Sequence, residues 1–468
     1  MKIPESNKEQ QLILHAPVWK MMWQLSWPAV VAMVLYGMNV VVDGVFVGHF
    51  VGESALAGVT VVYPMTQIPL GLGSLIGVGA GSLLSILLGQ KAVEKQARLL
   101  GNVNALILFT GVLTTALGLV FLDPLLRLLG ASGSELRYGA DYISTALYCS
   151  IFWIGGLAYN MIVRAEGKMA TAAWMMGAGL GINILFNYIL MGILKTGVKG
   201  AAWGTNIGML VYALLFFIYC GRGKASFKTN LCRLCLDRSM AGEMLGLGFP
   251  SFLLAIMYVI QSLVIMRSLN TYGTPADLAL YGSVFRLFNL FLTPIYGLMR
   301  ALQPAVGINF GAGRPDRVIR SFKVFALAAL LLMLPLWLVT FAMPETMLSL
   351  MLPDRVFQAA DIANFRIFIS VAPFLPIMFM AMTFWPAIKK PKPAGILGIV
   401  RQALLYIPAM ILLPKYFGIG WIYRGSFLID LLLSGLVLLL IAGEFKKLRQ
   451  SGAAGGRRGG ADADDEAV

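Results

Sequence analysis

Twelve long stretches of mostly apolar residues divide this chain, at roughly 21–48, 55–84, 101–122, 140–163, 170–192, 198–220, 244–269, 279–308, 322–343, 363–388, 395–414 and 418–442. About 20 such residues are needed for a helix to cross the hydrocarbon core of a bilayer. Inside that core only helices and closed barrels satisfy every backbone N–H and C=O. Barrel strands are about ten residues long and alternate in polarity, which these stretches do not. The chain is therefore expected to be an all-α polytopic membrane protein with twelve transmembrane helices. Charged residues make up 13 % of it, about half the ~25 % of a soluble domain. A soluble multidomain enzyme, a disordered chain and a disulfide scaffold are excluded. The four Cys and two His, His15 and His49, offer little for metal or imidazole chemistry.

The basic residues orient the spans. With the N-terminus placed in the cytoplasm, 25 of the 37 Lys and Arg fall on the cytoplasmic side. Arg127, Arg137, Lys195, Lys199, Arg355 and Lys415 fall outside. Arg267, Arg286, Arg300, Arg366, Arg401 and Arg424 lie in or at the edge of spans. Cytoplasmic loops carry the excess of positive charge, so both termini are expected inside a multi-pass plasma membrane protein. The same bias accounts for the net charge of +15 without a nucleic-acid partner. The polar start MKIPESNKEQ does not read as a signal peptide.

The expected layout is a cytoplasmic N-terminal segment over 1–20, a six-helix bundle over 21–222, a cytoplasmic linker over 223–243, a second six-helix bundle over 244–445, and a disordered cytoplasmic tail over 446–468. A shift of 222 residues relates the halves: Pro28 falls on Pro250, Tyr36 on Tyr258, Gly89 on Gly311 and Arg98 on Arg320. With a one-residue slip, Gly204-Thr205 falls on Gly425-Ser426. An even number of spans per half makes the repeats parallel, related by an axis along the membrane normal, with a central cleft between the bundles.

Only Asp43 and Asp430, among the acidic residues, fall in the interior of apolar spans. A charge at the centre of a membrane helix costs about 3 kcal/mol or more. Asp43, in VVVDGVFVG, reads either as a group that exchanges a cation or as a structural carboxylate bonded to a neighbouring helix. Asn183 and Asn187 are four apart and share a helix face. With Thr205 they suit hard cations, which prefer oxygen ligands, or equally interhelical hydrogen bonding. Asp430 reads as structural, with Arg401 or Arg424 as its partner. Cys232-x-x-Cys235 lacks the further ligands of a zinc site. The glycines at 71, 73, 77, 79 and 81 sit inside a span, where they serve close helix packing rather than nucleotide binding.

Several motifs together resemble the multidrug and toxic compound extrusion (MATE) family. They are Pro28 with Asp43-Gly-Val-Phe-Val-Gly48, Ser85-Ile-Leu-Leu-Gly89-Gln90, Arg164-Ala-Glu-Gly167-Lys168, Asn183-Ile-Leu-Phe-Asn187, Gln303-Pro304 through Gly311-Ala312, and Arg401-Gln402. The resemblance implies a secondary transporter that exports drugs and organic cations in exchange for H⁺ or Na⁺. It places Asp43, Asn183, Asn187 and Thr205 at the coupling site and Asn160 at the substrate cleft or its supporting network. Tyr36, Asn39, Tyr258 and Gln261 are further cleft candidates. Relatives with a Glu in the seventh span and an Asp in the tenth have a second site; this chain has Gln261 and no acid there. The expected partners are amphipathic, cationic small molecules and the lipid bilayer, with a monomeric protein and no cofactor beyond the coupling ion. The alternative is a lipid or lipid-linked saccharide flippase of the same superfamily. A membrane-embedded enzyme lacks a clustered catalytic set here, and no Walker motif is present to use ATP.

Overall fold

A computed structural model describes residues 6–128, 133–227, 234–352 and 355–464. The helices are α1 (Ser6–His15), α2 (Val18–Phe50), α3 (Glu53–Gly89), α4 (Val93–Val120), α5 (Leu122–Leu128), α6 (Gly133–Tyr148), α7 (Ser150–Ala165), α8 (Met169–Asn187) and α9 (Val198–Gly221). The second half holds α10 (Arg238–Tyr272), α11 (Pro275–Gly311), α12 (Pro315–Ala342), α13 (Pro344–Ser349), α14 (Ala359–Ile369), α15 (Leu375–Ala387), α16 (Pro391–Ile399), α17 (Ile407–Phe417) and α18 (Trp421–Asp464). Two π-helical stretches, Tyr188–Ile193 and Val400–Tyr406, follow α8 and α16 without a break.

Ten helices among the described residues are long and apolar enough to cross a bilayer, counting α8 and α16–α17 with their π-helical stretches. The fourth expected span, 140–163, is broken: α6 and α7 meet at a 59° bend. The bend is held by α4, where Thr115 Oγ1 donates to the Leu147 carbonyl at 2.8 Å and the Gly111 carbonyl accepts from Ser150 Oγ at 3.0 Å. A side chain inserted into the backbone ladder is an ordinary cause of a kink. The tenth, 363–388, is divided into α14 and α15, with Pro373 and Pro376 at the break; proline removes a helical donor. These two pairs complete the twelve-span layout. The last helix runs on to Asp464, where composition predicts a disordered tail. Extending an existing helix avoids the cost of nucleating one.

The repeat is visible in the backbone. Helix starts recur at Val93 and Pro315, Leu122 and Pro344, and Met169 and Pro391, each pair 222 apart. Left-handed turns recur with the same spacing, at Lys91 (φ 56°) and Gly313 (φ 68°), and at Gly167 (φ 85°) and Lys389 (φ 60°).

The bundles meet backbone to backbone at the end rich in Lys and Arg. A Cβ on Gly89 would lie 2.2 Å from the Ile308 carbonyl oxygen, and one on Gly311 would lie 2.1 Å from that of Ile86. Gly89 and Gly311 are repeat equivalents, as are Ile86 and Ile308, so the contact is reciprocal, as at a two-fold interface. Higher up, a Cβ on Gly248 would strike the Leu75 carbonyl oxygen at 1.8 Å, and one on Gly79 that of Met244 at 1.9 Å. Gln303 reaches across to donate to the Val78 carbonyl (3.2 Å) and Ser82 Oγ (3.0 Å).

The short helix α1 lies over this closed end. Arg317 donates to the carbonyls of Ile13 and Ala16, Arg314 to that of Leu14, and Asn309 to that of Ile13. Cations suit a helix C-terminus. Ile13 is fully buried and packs beside Gly167 of the other bundle, so α1 spans both halves.

Gly248→Ala is expected to overpack the α3–α10 crossing at a cost of about 1–3 kcal/mol. The midpoint of thermal unfolding in detergent should fall; an unchanged midpoint would mean that these backbones do not touch.

Candidate functional site

The site grows from three helices of the first bundle. On α2, Asn39 and Asp43 share one face, and Asn39 Nδ2 donates to Asp43 Oδ2 at 3.2 Å. From the last turn of α8, Asn187 Nδ2 donates to Asp43 Oδ1 at 2.7 Å. One turn earlier, Asn183 Nδ2 donates to Thr205 Oγ1 of α9 at 3.1 Å. Glycine makes room for this: a Cβ on Gly204 would lie 2.0 Å from Asn187 Oδ1. The π-helical stretch starts at the next residue after Asn187; such widened turns gather at functional sites.

Both Asp43 oxygens thus accept from amides. The amide oxygens of Asn39, Asn183 and Asn187 are buried and have no hydrogen-bond partner among the described residues. Buried polar atoms without partners are uncommon; two of these belong to amides bonded to Asp43 and the third to Asn183, one turn from Asn187 on α8, and oxygens of this kind suit a hard cation. Asn39, expected on the cleft wall, therefore belongs to this cluster.

The other expected cleft residues are spread out. Tyr36 lies on α2 within electrostatic range of Asp43, Tyr63, Tyr212 and Arg300. Tyr258 is 39 % exposed and stacks on Phe285 with centroids 6.2 Å apart. Gln261 is buried on α10 beside Tyr406 of the second bundle. Asn160 sits inside the first bundle, where it donates to the Ala172 carbonyl at 2.8 Å and accepts from Arg164 Nε at 2.6 Å.

Asp430 is 3 % exposed and receives a two-pronged pair from Arg401, Nε to Oδ1 at 2.7 Å and Nη2 to Oδ2 at 3.0 Å. Such a fork satisfies both oxygens, with Arg401 as the partner.

Sequence reasoning missed three groups. Arg164 and Tyr212 are buried at 4 % and 6 % exposure, deep among α7, α8 and α9. Glu166, just past the end of α7, is fully buried. Its Oε2 accepts from the Tyr219 hydroxyl at 3.1 Å and from the Ser226 amide. Lys168 donates to the Lys224 carbonyl and lies 5.3 Å over the Tyr219 ring. Hydropathy reads Arg164–Lys168 as a polar junction. The one signal in the sequence was that Arg164 and Glu166 belong to a motif resembling the family's.

Comparison with known proteins places the chain. The MatE family model matches it twice, over residues 28–189 and 250–412, and the two matches begin 222 residues apart. The chain is a membrane transporter of the MatE family, not an enzyme. It is 28 % identical, over 93 % of its length and 96 % of the relative's, to the multidrug export protein MepA of Staphylococcus aureus (strain N315). It is 25 % identical over the same shares to MepA of Staphylococcus haemolyticus. Its fold matches the crystal structure of MATE in complex with MaL6 with a TM-score of 0.88, covering 95 % of this chain and 99 % of that one at 22 % identity.

Burial pushes the Glu166 carboxyl up to about 7 against the hydrogen bonds and the nearby Lys168 that lower it. A carboxyl raised in the folded state contributes fully below its ordinary value near 4.5 and loses that contribution as pH rises through 7. Glu166→Gln, permanently neutral and still an acceptor, should gain thermal stability relative to the parent as pH goes from 5 to 8. A melting-temperature difference that stays flat over that range would place a solvated carboxylate here.

Proposed function

We propose that this transporter is a secondary active exporter of amphipathic small molecules, driven by exchange for H⁺ or Na⁺ at Asp43. The observation that carries the reading is the Asp43 carboxylate bonded to Asn39 and Asn187, with Asn183 one turn from Asn187 and the amide oxygens of all three buried and unpartnered among the described residues. Ionisable groups at this depth mark ion pathways. The multidrug export named for the staphylococcal relatives agrees with it. Cargo carrying a cationic amine and apolar rings fits the half-exposed aromatic surface of Tyr63 and Tyr258, since ring faces attract cations. The protein acts as a monomer in the plasma membrane, both termini in the cytoplasm, where the basic end also lies.

Antiport requires that the cation and the cargo each weaken the other's binding. Protonation of Asp43, or Na⁺ among its oxygen ligands, removes or satisfies one charge. The packing of α2 against α8 and α9 changes with it. Tyr36, on the same helix and within range of both Asp43 and Arg300, relays that change to the cleft.

Asp43→Asn should abolish gradient-driven uptake of a cationic dye such as ethidium into liposomes while leaving the protein folded and inserted. Asn187→Ala should weaken coupling less, since it removes one neutral ligand. Applying pH and Na⁺ gradients separately identifies the ion. Wild-type transport by Asp43→Asn under both gradients would overturn the mechanism.

A further inference from the structure

Two arginines lie near the crossing of the bundles without an anion among the described residues. Arg164, on α7 of the first bundle, spends Nε on Asn160, while its Nη2 faces the thioether of Met176 at 3.9 Å. Arg300, on α11 of the second bundle, points Nη1 at the thioether of Met161 at 3.8 Å. Thioether sulfur is a weak acceptor, and each guanidinium carries five donors. Among the described residues neither arginine forms an ion pair. Met161, which Arg300 meets, is one turn of α7 before Arg164, and Tyr212 is a polar partner of Arg164 from α9.

Burying like charges together is costly unless something compensates them. The second bundle shows how this chain settles a buried arginine. There, Arg401 grips Asp430 with both prongs. No carboxylate grips Arg164 or Arg300 in this way among the described residues. Arg300 is one turn of α11 before Gln303, which ties α11 to α3. Its position between the bundles is therefore fixed by that crossing. Tyr36 lies within range of Arg300 and also of Asp43.

We propose that Arg164 and Arg300 form an anion subsite that takes the carboxylate of an amphipathic cargo from both bundles at once. Guanidinium forks match carboxylate oxygens, and a group held by α7 and α11 together bridges the two bodies that must rock apart. The subsite deepens the export reading and rests on it. The cargo class becomes one with an anionic group at the arginine pair and a ring system, with or without an amine, against the tyrosines.

The probe is a matched pair of xanthene dyes, one with a free benzoate and the other its methyl ester, titrated by fluorescence anisotropy against the purified full-length protein in detergent. A hydrogen bond to a charged group contributes about 1.5–3 kcal/mol, so the free acid should bind at least about tenfold more tightly than the ester. Arg300→Gln should remove that preference while leaving the ester's affinity unchanged, and Arg300→Lys should keep part of it. Equal affinity for both dyes, binding of neither, or a loss in Arg300→Gln that strikes both equally overturns the subsite. Transport of the ester into liposomes under an ion gradient reads the export function separately. Failure of ester transport with the acid preference intact would strike the export reading alone.

Discussion

The reciprocal approach of Gly89 and Gly311 is the contact on which the rest of the molecule depends. Lipid tails are as apolar as leucine, so membrane helices associate through close packing of small residues rather than through a hydrophobic drive. Here the two halves touch through bare backbone at that pair and again where Gly79 and Gly248 cross. Closure at the basic end leaves the half-exposed tyrosines, Tyr63 and Tyr258, away from the seal. Among the described residues the contact forms no covalent or ionic lock. α1, held by Arg314 and Arg317 and seated beside Gly167, adds a strap over the same end.

Each bundle has a π-helical stretch in its penultimate span and a carboxylate beside it, at positions that the 222-residue offset does not relate, and with different partners. Beside Tyr188–Ile193, Asp43 meets only neutral amides and keeps the freedom to change its state. Within Val400–Tyr406, Arg401 reaches out and fixes Asp430. Breaking a buried pair leaves an uncompensated charge, at a cost of several kcal/mol, so this pair ties α18 to the π-helical stretch of the second bundle.

The sequence carried the architecture well because hydropathy, charge bias and the 222-residue offset are properties of whole spans. The offset returned in the helix starts and in the left-handed turns at Lys91 and Gly313. Asp43, Asn187, Asn183 and Thr205 were legible as a group through motifs that resemble the family's. What stayed hidden depended on direction in space. Asn160 and Asn39 are polar residues in spans, yet one braces Arg164 and the other Asp43. The bend at Cys149 depends on Thr115 of another helix. Glu166 looked like a loop residue because its burial comes from Tyr219 and the segment around Ser226. The partners of Thr115 and Glu166 are 32 to 60 residues away in sequence.

One responsive carboxylate also sets the electrical character of the proposed exchange. When a single monovalent cation enters for each monocationic cargo that leaves, no net charge crosses, and the membrane potential does no work. A cargo whose carboxylate rests on Arg164 and Arg300 and whose amine remains protonated has no net charge. The entering cation then moves its charge alone, and the potential adds about 2.3 kcal/mol per 100 mV. That is about a fiftyfold steeper accumulation ratio. The arginine pair would therefore turn an electroneutral exchanger into one that draws on voltage, with the choice made by the cargo.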